Sequence, residues 1–556
     1  MQRIWLKSYP AGVPADIDPE HLRTLVDLIE QSCAAHADAV AYVQMGHSLT
    51  YRRLEQLSRD FAAFLQKKAG LGKGERIAIM LPNVLQYPIA LFGALRAGLT
   101  IVNTNPLYTA PELEHQLNDS GATTIVVLEN FAHVLEKVLP QTAVRQVLVT
   151  GVGDMLGFPK AAIVNYVVRH RRRQVPPYRI DASIRFTDAL REGASLTLDP
   201  VAMNREDLAF LQYTGGTTGV AKGAMLSHGN VSANVLQAEA WIGVTIARTT
   251  GTLITPIPLY HIFALTANCL LFARLGWRNI LIVNPRDFPA VISELRKYPF
   301  RFISGVNTLF NAFLHTPGFD QLDFSSLQIT LGGGMAVQAA VAQRWKQVTG
   351  NILTQAWGLT ETSPAACINP PGEDFNGAIG LPISSTEVAI KDDAGNDLAI
   401  GQVGEICVRG PQVMSGYWKR PDETAKVLLP DGWLRTGDVG RMDERGYVFI
   451  EDRKKDMILV SGFNVYPNEV EAVAATHPGI LEAAAVAQPD EHSGEVVALF
   501  VVPKDPALTE QAVIDFSRES LARYKVPRHV YFRKELPKTN VGKIQRKALR
   551  DELAGK

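Results

Sequence analysis

The feature of this sequence that most constrains its fold is the alternation of helical patterns with short β-branched runs ending near glycines. In LEHQLNDSGATTIVVLE a helical pattern stops at Gly121 and a strand follows over Ala122–Leu128. A helical pattern near Pro289–Tyr298 precedes the strand-like RFIS, and LQITL leads into Gly332–Gly334. Strands separated by helices predict parallel sheets covered on both faces. The ligands of such sheets gather at the loops that follow the strand carboxyl ends.

The pattern changes after about Gly380. Short alternating runs (EVAIKDD, GEICVRG, GYVFIED) predict antiparallel strands, and a compact α+β pattern follows the polar EDRKKD. At 556 residues the chain exceeds what one hydrophobic core usually supports. We therefore predict an α/β protein with a large N-terminal domain of two mainly parallel sheets with helices, and a small mobile α+β C-terminal domain. The predicted parts are the large domain over 1–451, its β-rich subdomain over about 380–451, the small domain over 452–556 and a hinge at 452–455.

Composition excludes several classes of protein. With 46% hydrophobic and 20% charged residues the chain is an ordinary globular protein, and its net charge of zero provides no field that attracts nucleic acid. The four cysteines are scattered without metal-ligand spacing, which favours a reducing compartment. The N-terminus lacks the apolar core of a signal peptide, and no apolar run reaches membrane-spanning length. We predict a cytoplasmic protein.

The loop YTGGTTGVAKG is rich in groups that bind phosphate. Its glycines can turn backbone N–H groups toward an anion, its threonines add hydroxyl donors, and its lysine adds a positive charge. A P-loop NTPase needs G-x-x-x-x-G-K-[ST], and this spacing is absent here. A structural turn is the alternative. The predicted phosphate-binding residues are Thr214, Gly215, Gly216, Thr217, Thr218, Gly219 and Lys222.

Two further loops supply an aromatic ring and carboxylates. In QAWGLTETSP, Trp357 lies beside Gly358 and can stack on a base, and Glu361 offers an oxygen ligand to Mg²⁺, which prefers one or two carboxylates plus substrate phosphates. In GWLRTGDVG, Asp438 is predicted in a tight turn, where its carboxylate can accept both hydroxyls of a ribose. A solvated glutamate and a turn-capping aspartate are the alternatives.

Three other positions carry chemistry or charge. Lys543 lies in a Gly-Lys turn of PKTNVGKIQRKALR, where an exposed cation can reach a neighbouring cleft; a solvated charged face is the alternative. His261 is a polar group within the apolar PLYHIFAL, and a satisfied core histidine is the alternative. In AAIVNYVVRHRRRQ, Ala161–Gln174, an apolar segment runs into Arg171–Arg173. It fits either a membrane surface or a helix end with solvated arginines. Together the motifs predict an ATP site assembled from distant segments.

Five motifs in this order carry a resemblance to a known family: YTGGTTGVAKG, QAWGLTET, GWLRTGD, EDRKKDMILVSGFNVYPNEVE and PKTNVGKIQRK. They resemble the adenylate-forming superfamily of acyl-CoA synthetases, adenylation domains and luciferases, over about Leu22 to Leu549. DGWLRTGDVGRMDERGYVFIEDRKKD resembles the fatty acyl-CoA synthetase signature, and IWLKSYPAGVPADI with NPLYTAPELEHQLNDSGA resembles bacterial long-chain fatty-acid–CoA ligases. The resemblance implies activation of a long-chain fatty acid by ATP as acyl-AMP with release of pyrophosphate, followed by transfer to coenzyme A, with Mg²⁺ as cofactor.

The resemblance also implies roles for individual residues. Lys543, Thr217, His261 and Glu361 would be catalytic, and Glu361 and Thr217 would hold Mg²⁺. Lys455 would be the hinge residue, and Ser461, Gly462 and Phe463 would face coenzyme A after the small domain rotates. The remaining ATP or AMP contacts would come from Thr214, Gly215, Gly216, Thr218, Gly219, Lys222, Gly333, Gly334, Trp357, Gly358, Thr360, Asp438 and Arg453.

Alternatives remain within and outside this superfamily. A medium-chain or aryl acid–CoA ligase has the same motifs, and an NTPase or phosphotransferase is the alternative from another class. Leu459 stands where luciferases carry lysine, which disfavours light emission. Use of long-chain acids leads us to expect peripheral attachment to the cytoplasmic face of the inner membrane. Relatives commonly form homodimers, but the sequence indicates no interface.

Overall fold

The computed structural model describes residues 3–214, 221–246, 250–490, 492–539 and 542–555. Its α-helices are α1 Leu25–His36, α2 Tyr51–Lys67, α3 Gln86–Arg96, α4 Ala110–Ser120, α5 Ala132–Val138, α6 Lys160–Tyr166, α7 Phe186–Gly193, α8 His228–Ile242, α9 Ile262–Ala264, α10 Leu271–Arg274, α11 Phe288–Leu295, α12 Asn307–Leu314, α13 Ala339–Thr349, α14 Pro421–Val427, α15 Pro467–Ala475, α16 Glu510–Ser520 and α17 Arg546–Leu553. π-Helical turns continue α6 over Val167–Arg171 and α9 over Leu265–Leu270. Short 3-10 helices lie at Ile4–Ser8, Pro19–His21, Glu129–Phe131, Leu139–Gln141, Thr360–Thr362 and Arg523–Lys525.

In the described residues the strands form four sheets. In chain order they are β1 Val40–Gln44, β2 His47–Thr50, β3 Arg76–Met80, β4 Thr100–Asn103, β5 Thr124–Leu128, β6 Gln146–Thr150, β7 Ile184–Arg185, β8 Leu208–Thr214, β9 Lys222–Ser227, β10 Thr252–Thr255, β11 Arg278–Leu281, β12 Phe302–Gly305, β13 Ile329–Gly332, β14 Leu353–Gly358, β15 Ala365–Ile368, β16 Leu381–Pro382, β17 Glu387–Lys391, β18 Gly404–Arg409, β19 Leu434–Met442, β20 Val448–Arg453, β21 Ile458–Val460, β22 Phe463–Val465, β23 Ile480–Asp490, β24 Gly494–Pro503 and β25 His529–Phe532.

Two large sheets carry the α/β architecture that the alternation predicts. One has the order β16-β15-β14-β13-β12-β10-β11-β1-β2 and the other β7-β6-β5-β3-β4-β8-β9. Their central strands pair in parallel, and antiparallel pairs occur toward the ends, as at β1–β2, β14–β15 and β8–β9. Every residue of β5 is buried, as expected for a parallel strand covered on both faces. The α/β fold class is therefore confirmed.

Local signals explain where the elements begin and end. Helix α4 starts with a capping box between Thr109 and Glu112 and ends at Gly121, whose φ of 65° suits a left-handed cap. Helix α15 begins at Pro467, where the missing N–H of proline costs no helical hydrogen bond.

The chain leaves the large sheets through a separate antiparallel unit. Strands β17-β18-β19-β20 form a four-stranded sheet that ends at Arg453. The last sheet, β22-β21-β24-β23 with β25 beside β24, begins at Ile458 and encloses its own core around Val470, Leu499 and Val513. The segment 454–457 connects the two sheets, and the predicted hinge at 452–455 overlaps it. The domain limits themselves stay a prediction.

Two structural findings bear on composition. The four cysteines are all buried and unpaired. Within the described ranges, no helix is both long and apolar enough to cross a membrane.

Candidate active site

A cavity of about 700 Å³ lies where loops of both large sheets meet the four-stranded sheet and the small C-terminal unit. It contains the described predicted residues Thr214, Lys222, His261, Gly333, Gly334, Trp357, Gly358, Thr360, Glu361, Arg453, Lys455 and Lys543. The loops after β4, β13 and β14 and the carboxyl end of strand β8 contribute to its wall. This position matches the rule that ligands bind beyond the carboxyl ends of parallel strands.

Lys543 enters this cavity from the small C-terminal unit. The backbone N–H of Lys543 donates a hydrogen bond to the Thr539 hydroxyl at 3.1 Å. The carbonyl of Gly542 accepts a hydrogen bond from the Thr308 hydroxyl at 2.8 Å. A Cβ built on Gly334, whose φ is +78°, would lie 3.3 Å from the Cε of Lys543. The absence of a side chain at Gly334 therefore makes room for the lysine.

The electrostatics around Lys543 reflect loss of water and the presence of mixed charges. Desolvation, followed by the charge of Arg453, lowers the pKa of the Lys543 ammonium from 10.5 to about 8, and the carboxylates of Asp438 and Glu361 act against this shift. Desolvation, followed by the charge of Lys543, lowers the pKa of His261 to about 3. His261 is therefore neutral, and the ammonium of Lys543 is poised to receive an anion.

Asp438 does not lie in a tight turn, and that prediction is wrong. It lies within β19, where Gly437 has a φ of 72° and the pairing with β20 shifts between Val439 and Gly440. The glycines mark an irregular strand here rather than a reversal of the chain. Asp438 pairs in register with Arg453 across the sheet, and their side chains approach to 3.2 Å.

The carboxylate of Asp438 also joins two distant parts of the cleft. The indole Nε1 of Trp357 donates a hydrogen bond to the Oδ2 of Asp438 at 2.9 Å. Among the residues that the structure describes, the other oxygen, Oδ1, has no partner beyond the 3.2 Å approach of Arg453. A buried carboxylate oxygen left in this way is available to a ligand hydroxyl. The arrangement fits the ribose role that the resemblance implies for Asp438.

Tyr417 is a residue of the cleft that sequence reasoning missed. Its hydroxyl donates to Glu361 Oε1 at 2.7 Å, and the ammonium of Lys222 lies 5.1 Å from the centre of its ring. Lys222 also forms an ion pair with Glu423 of α14. Tyr417 thus connects the predicted metal carboxylate with the predicted phosphate lysine. The only local signal is a Gly-aromatic pair shortly before a helix that starts with proline.

Beyond His261 the cavity becomes apolar. His261 Nδ1 accepts the N–H of Phe263, which places the imidazole at the start of α9. The π-helical turn Leu265–Leu270 then widens the helix locally, a feature that often occurs at functional sites. The apolar wall is formed by Ala238, Ile242, Ile262, Phe263, Ala267, Leu271, Phe302, Leu331 and Ile368.

The other predicted residues divide into three groups. Gly358 has a structural reason, because a Cβ there would lie 1.8 Å from the carbonyl oxygen of Pro364, and Gly333 is confined by Ala356 and Phe263. Ser461, Gly462 and Phe463 lie at the β21–β22 hairpin, where they are exposed and separate from the residues that line the cavity. The predictions for Gly215, Gly216, Thr217, Thr218 and Gly219 lie outside the described residues.

The residues present fit the predicted magnesium ion. In the described part of the chain, no three His, Cys, Asp or Glu side chains form a group that could hold a metal unaided. Mg²⁺ is commonly bound by one or two carboxylates together with substrate phosphates. Glu361 supplies such a carboxylate, and its Oε1 is fixed by Tyr417.

The cleft therefore combines a nucleotide-type polar half with an apolar half, between a large domain and a small one. The AMP-binding enzyme family matches residues 29–418, and the AMP-binding enzyme C-terminal domain matches residues 469–543. The chain belongs to the AMP-binding enzyme family.

Individual relatives agree over the whole length. The chain is 56% identical to a long-chain-fatty-acid–CoA ligase of Escherichia coli O157:H7, covering 100% of this chain and 99% of the relative. It is 39% identical to a long-chain-fatty-acid–CoA ligase of Bacillus subtilis over 99% of this chain and 98% of that one. An anthranilate CoA ligase in complex with anthranoyl-AMP superposes with a TM-score of 0.86 at 25% identity, covering 97% and 99% of the two chains. The adenylate-forming fold is thereby confirmed.

Proposed function

We propose that this protein is a long-chain fatty-acid–CoA ligase that forms AMP. The observation that carries the proposal is the placement of Lys543 between the polar half of the cleft, with Asp438, Arg453 and Glu361, and the apolar half that begins at His261. The full-length similarity to ligases of this name supports it. ATP, a fatty acid and coenzyme A are the substrates.

The first step joins two anions. A carboxylate oxygen of the acid attacks the α-phosphorus of ATP, a new P–O bond forms, the bond between the α-phosphorus and the bridging oxygen breaks, and pyrophosphate leaves. The step needs neutralisation and positioning more than a general base. The ammonium of Lys543 offsets charge at the reacting groups, Thr360 contacts the α-phosphate and Lys222 holds the leaving group. Glu361 and Thr217 would hold a magnesium ion, which would supply neutralisation of the phosphate charge.

The nucleoside and the acid are positioned by neighbouring residues. Asp438 and Arg453 hold the ribose hydroxyls, and Trp357 with Gly333 frames the adenine. His261 is neutral because its pKa is lowered to about 3. It therefore lies beside the acyl carboxylate without adding a charge that would hold the ground state too firmly.

The second step requires Lys543 to withdraw. The thiolate sulfur of coenzyme A attacks the acyl carbon, the bond from that carbon to the phosphate oxygen breaks, and AMP leaves. The loop of Gly542 contacts Thr308, and Asn311 contacts the carbonyl of Leu481. We propose that rotation about Lys455 breaks these contacts and brings Ser461–Phe463 to the vacated side.

A chain-length series tests this function. Pyrophosphate and phosphate release are measured with saturated acids of increasing length, with and without coenzyme A. Each buried methylene contributes about 0.8 kcal/mol, so kcat/KM is expected to rise about fourfold per methylene until the apolar cavity is filled. Release of phosphate instead of pyrophosphate would indicate the NTPase alternative. A preference for short or aryl acids would indicate another ligase of the superfamily.

The enzyme's location follows from its substrate. We propose that it works in the cytoplasm and attaches peripherally to the cytoplasmic face of the inner membrane, because long-chain acids partition into lipid. A role in β-oxidation follows from the acyl-CoA product and is likewise a proposal. Homodimerisation stays a prediction.

Adenylation is expected to lose efficiency as the pH rises through about 8. In the free enzyme Lys543 has a pKa of about 8 and faces Arg453, Asp438, Glu361 and His261. Its charged form is the active one, so kcat/KM for ATP in pyrophosphate exchange is full below this pH and falls above it. Lys543→Arg stays charged throughout and should show a nearly flat profile at a lower level. Identical profiles for the two proteins would contradict the assignment.

Removing the Tyr417 hydroxyl is expected to weaken ATP use. Tyr417→Phe keeps the ring beside Lys222 but removes a hydrogen bond to a carboxylate, an interaction of about 1.5–3 kcal/mol. We expect kcat/KM for ATP to fall about tenfold or more in pyrophosphate exchange. Tyr447→Phe is the matched control. The Tyr447 hydroxyl also donates a hydrogen bond to a carboxylate, that of Glu373 at 2.5 Å, but this pair lies outside the cleft. Equal effects in both variants would show that the loss at Tyr417 is only structural.

A further inference from the structure

An exposed apolar surface surrounds α6. Among the described residues Phe158 is the most exposed large apolar side chain, at 93%, and Ile163 and Tyr166 are each 58% exposed. Met45, which is 42% exposed, joins them because its carbonyl accepts a hydrogen bond from Lys160 at the start of α6. We call these four apolar residues, together with Lys160 and Arg171–Arg173, the α6 surface.

The same segment is strongly basic although the chain as a whole is neutral. From Phe158 to Gln174 there are five Lys and Arg residues and no Asp or Glu. Arg169 is held by the buried carboxylate of Glu129, which fastens the helix to the body of the protein. Within the described ranges, Arg171–Arg173 have no acidic partner and are exposed. A local excess of positive charge is therefore left facing solvent.

The helix end explains only part of this surface. The helical turns that follow α6 end at Arg171, and cations are favourable at a helix C-terminus. That effect gives no reason for three large apolar side chains to face water. Ile163, Tyr166 and His170 lie three and four residues apart, so they share one helical face, and the rings of Tyr166 and His170 are in contact. An apolar face with arginines at its edge is the pattern of a helix that lies in a membrane interface.

We propose that the α6 surface docks on an anionic phospholipid bilayer. Phe158, Ile163 and Tyr166 enter the boundary between headgroups and acyl chains, where an aromatic ring with a polar tip is favourable. The guanidinium groups of Arg171–Arg173 bind lipid phosphates, for which their planar donors are suited. The inference rests on the proposed function for its purpose, which is to bring the enzyme to lipid-dissolved acids. Vesicle binding itself requires no catalysis.

Flotation of the full-length protein with vesicles tests the proposal. Phosphatidylcholine vesicles are compared with vesicles containing about one third phosphatidylglycerol. We expect binding to the anionic vesicles only, reduced when the salt concentration is raised about tenfold. The triple variant Arg171→Ser, Arg172→Ser, Arg173→Ser should bind about 100-fold more weakly. The double variant Phe158→Ser, Ile163→Ser should lose binding by a similar factor while its dependence on salt persists.

Two controls keep the result interpretable. Ile400→Ser, Val403→Ser removes two other exposed apolar side chains, which are 48% and 45% exposed, and should bind like the unchanged protein. Pyrophosphate exchange with a water-soluble acid should be unchanged in every variant. This assay therefore tests the proposed catalytic function independently of vesicle binding. Unaltered vesicle binding by the triple variant would overturn the proposal. So would unaltered vesicle binding together with conversion of a dimer to a monomer by Phe158→Ser, Ile163→Ser, because the surface would then be an interface between two copies.

Discussion

Replacing Lys543 by alanine is expected to slow adenylation about 10²- to 10³-fold while leaving thioester formation nearly unchanged. Lys543 lies in the cleft with its pKa lowered to about 8, because burial removes water from its ammonium group and disfavours the charged form. The benefit arises when ATP and a carboxylate meet, because the fixed charge then offsets theirs. Loss of one such electrostatic group typically slows a reaction about 10²- to 10³-fold. The measurement is ATP–pyrophosphate exchange with a fatty acid.

The second half-reaction provides the internal control. Synthetic acyl-AMP plus coenzyme A should give acyl-CoA in Lys543→Ala at nearly the unchanged rate, because Lys543 is withdrawn in that step. Lys547→Ala is the matched control, since Lys547 is exposed and follows in the same basic segment. Removing Lys543 should not lower thermal stability, because its lowered pKa means that the folded state disfavours the charge. Exchange at the unchanged rate in Lys543→Ala would refute the mechanism.

Much of the fold could be predicted because its signals are local. The compact α+β pattern predicted after EDRKKD contains helix α15, Pro467–Ala475, and proline at its first position marks its start. The strand predicted at Ala122–Leu128 begins at Thr124, two residues later, because Gly121 ends α4 and residues are needed to turn the chain. Gly437 shows the limit of such signals. In a sequence, a glycine in a bulged strand cannot be distinguished from a glycine in a turn. For this reason the predicted tight turn at Asp438 is wrong.

The site could be predicted only where a motif was recognised. The Tyr417–Glu361 hydrogen bond joins residues 56 positions apart, and the Trp357–Asp438 bond joins residues 81 apart. Such pairs depend on how sheets pack against one another, which no periodicity encodes. The apolar half of the cavity is equally non-local, because Ala238, Phe302 and Leu331 come from separate elements. Sequence therefore identified the chemistry of the cleft better than its geometry.

Replacing Arg546 by alanine is expected to destabilise the protein and to slow adenylation. Arg546 binds Glu471 through two hydrogen bonds of 2.9 and 2.8 Å, and it also donates to Asn468 at 2.6 Å and to Asp452 at 3.2 Å. Its side chain is only 15% exposed. Removing one partner of a buried ionic network leaves the remaining charges unpaired, which costs about 3–5 kcal/mol. Denaturant unfolding measures this loss.

The catalytic effect follows from the position of Arg546 three residues after Lys543. Asp452 belongs to β20 of the four-stranded sheet, whereas Glu471 and Asn468 belong to α15 of the small unit, so Arg546 ties the lysine loop to both. Burial raises the pKa of Asp452 to about 6 even though Arg546 lowers it, so this carboxylate depends on its partner. A displacement of a catalytic group by about 1 Å can slow a reaction about 100-fold. We therefore expect ATP–pyrophosphate exchange in Arg546→Ala to fall by up to about 100-fold, because Lys543 is no longer held in place. Arg518→Ala, which removes an exposed ion pair with Asp515, should cost less than about 1 kcal/mol and leave exchange unchanged. If Arg546→Ala lost stability yet kept full exchange, Arg546 would hold the small unit together without positioning Lys543.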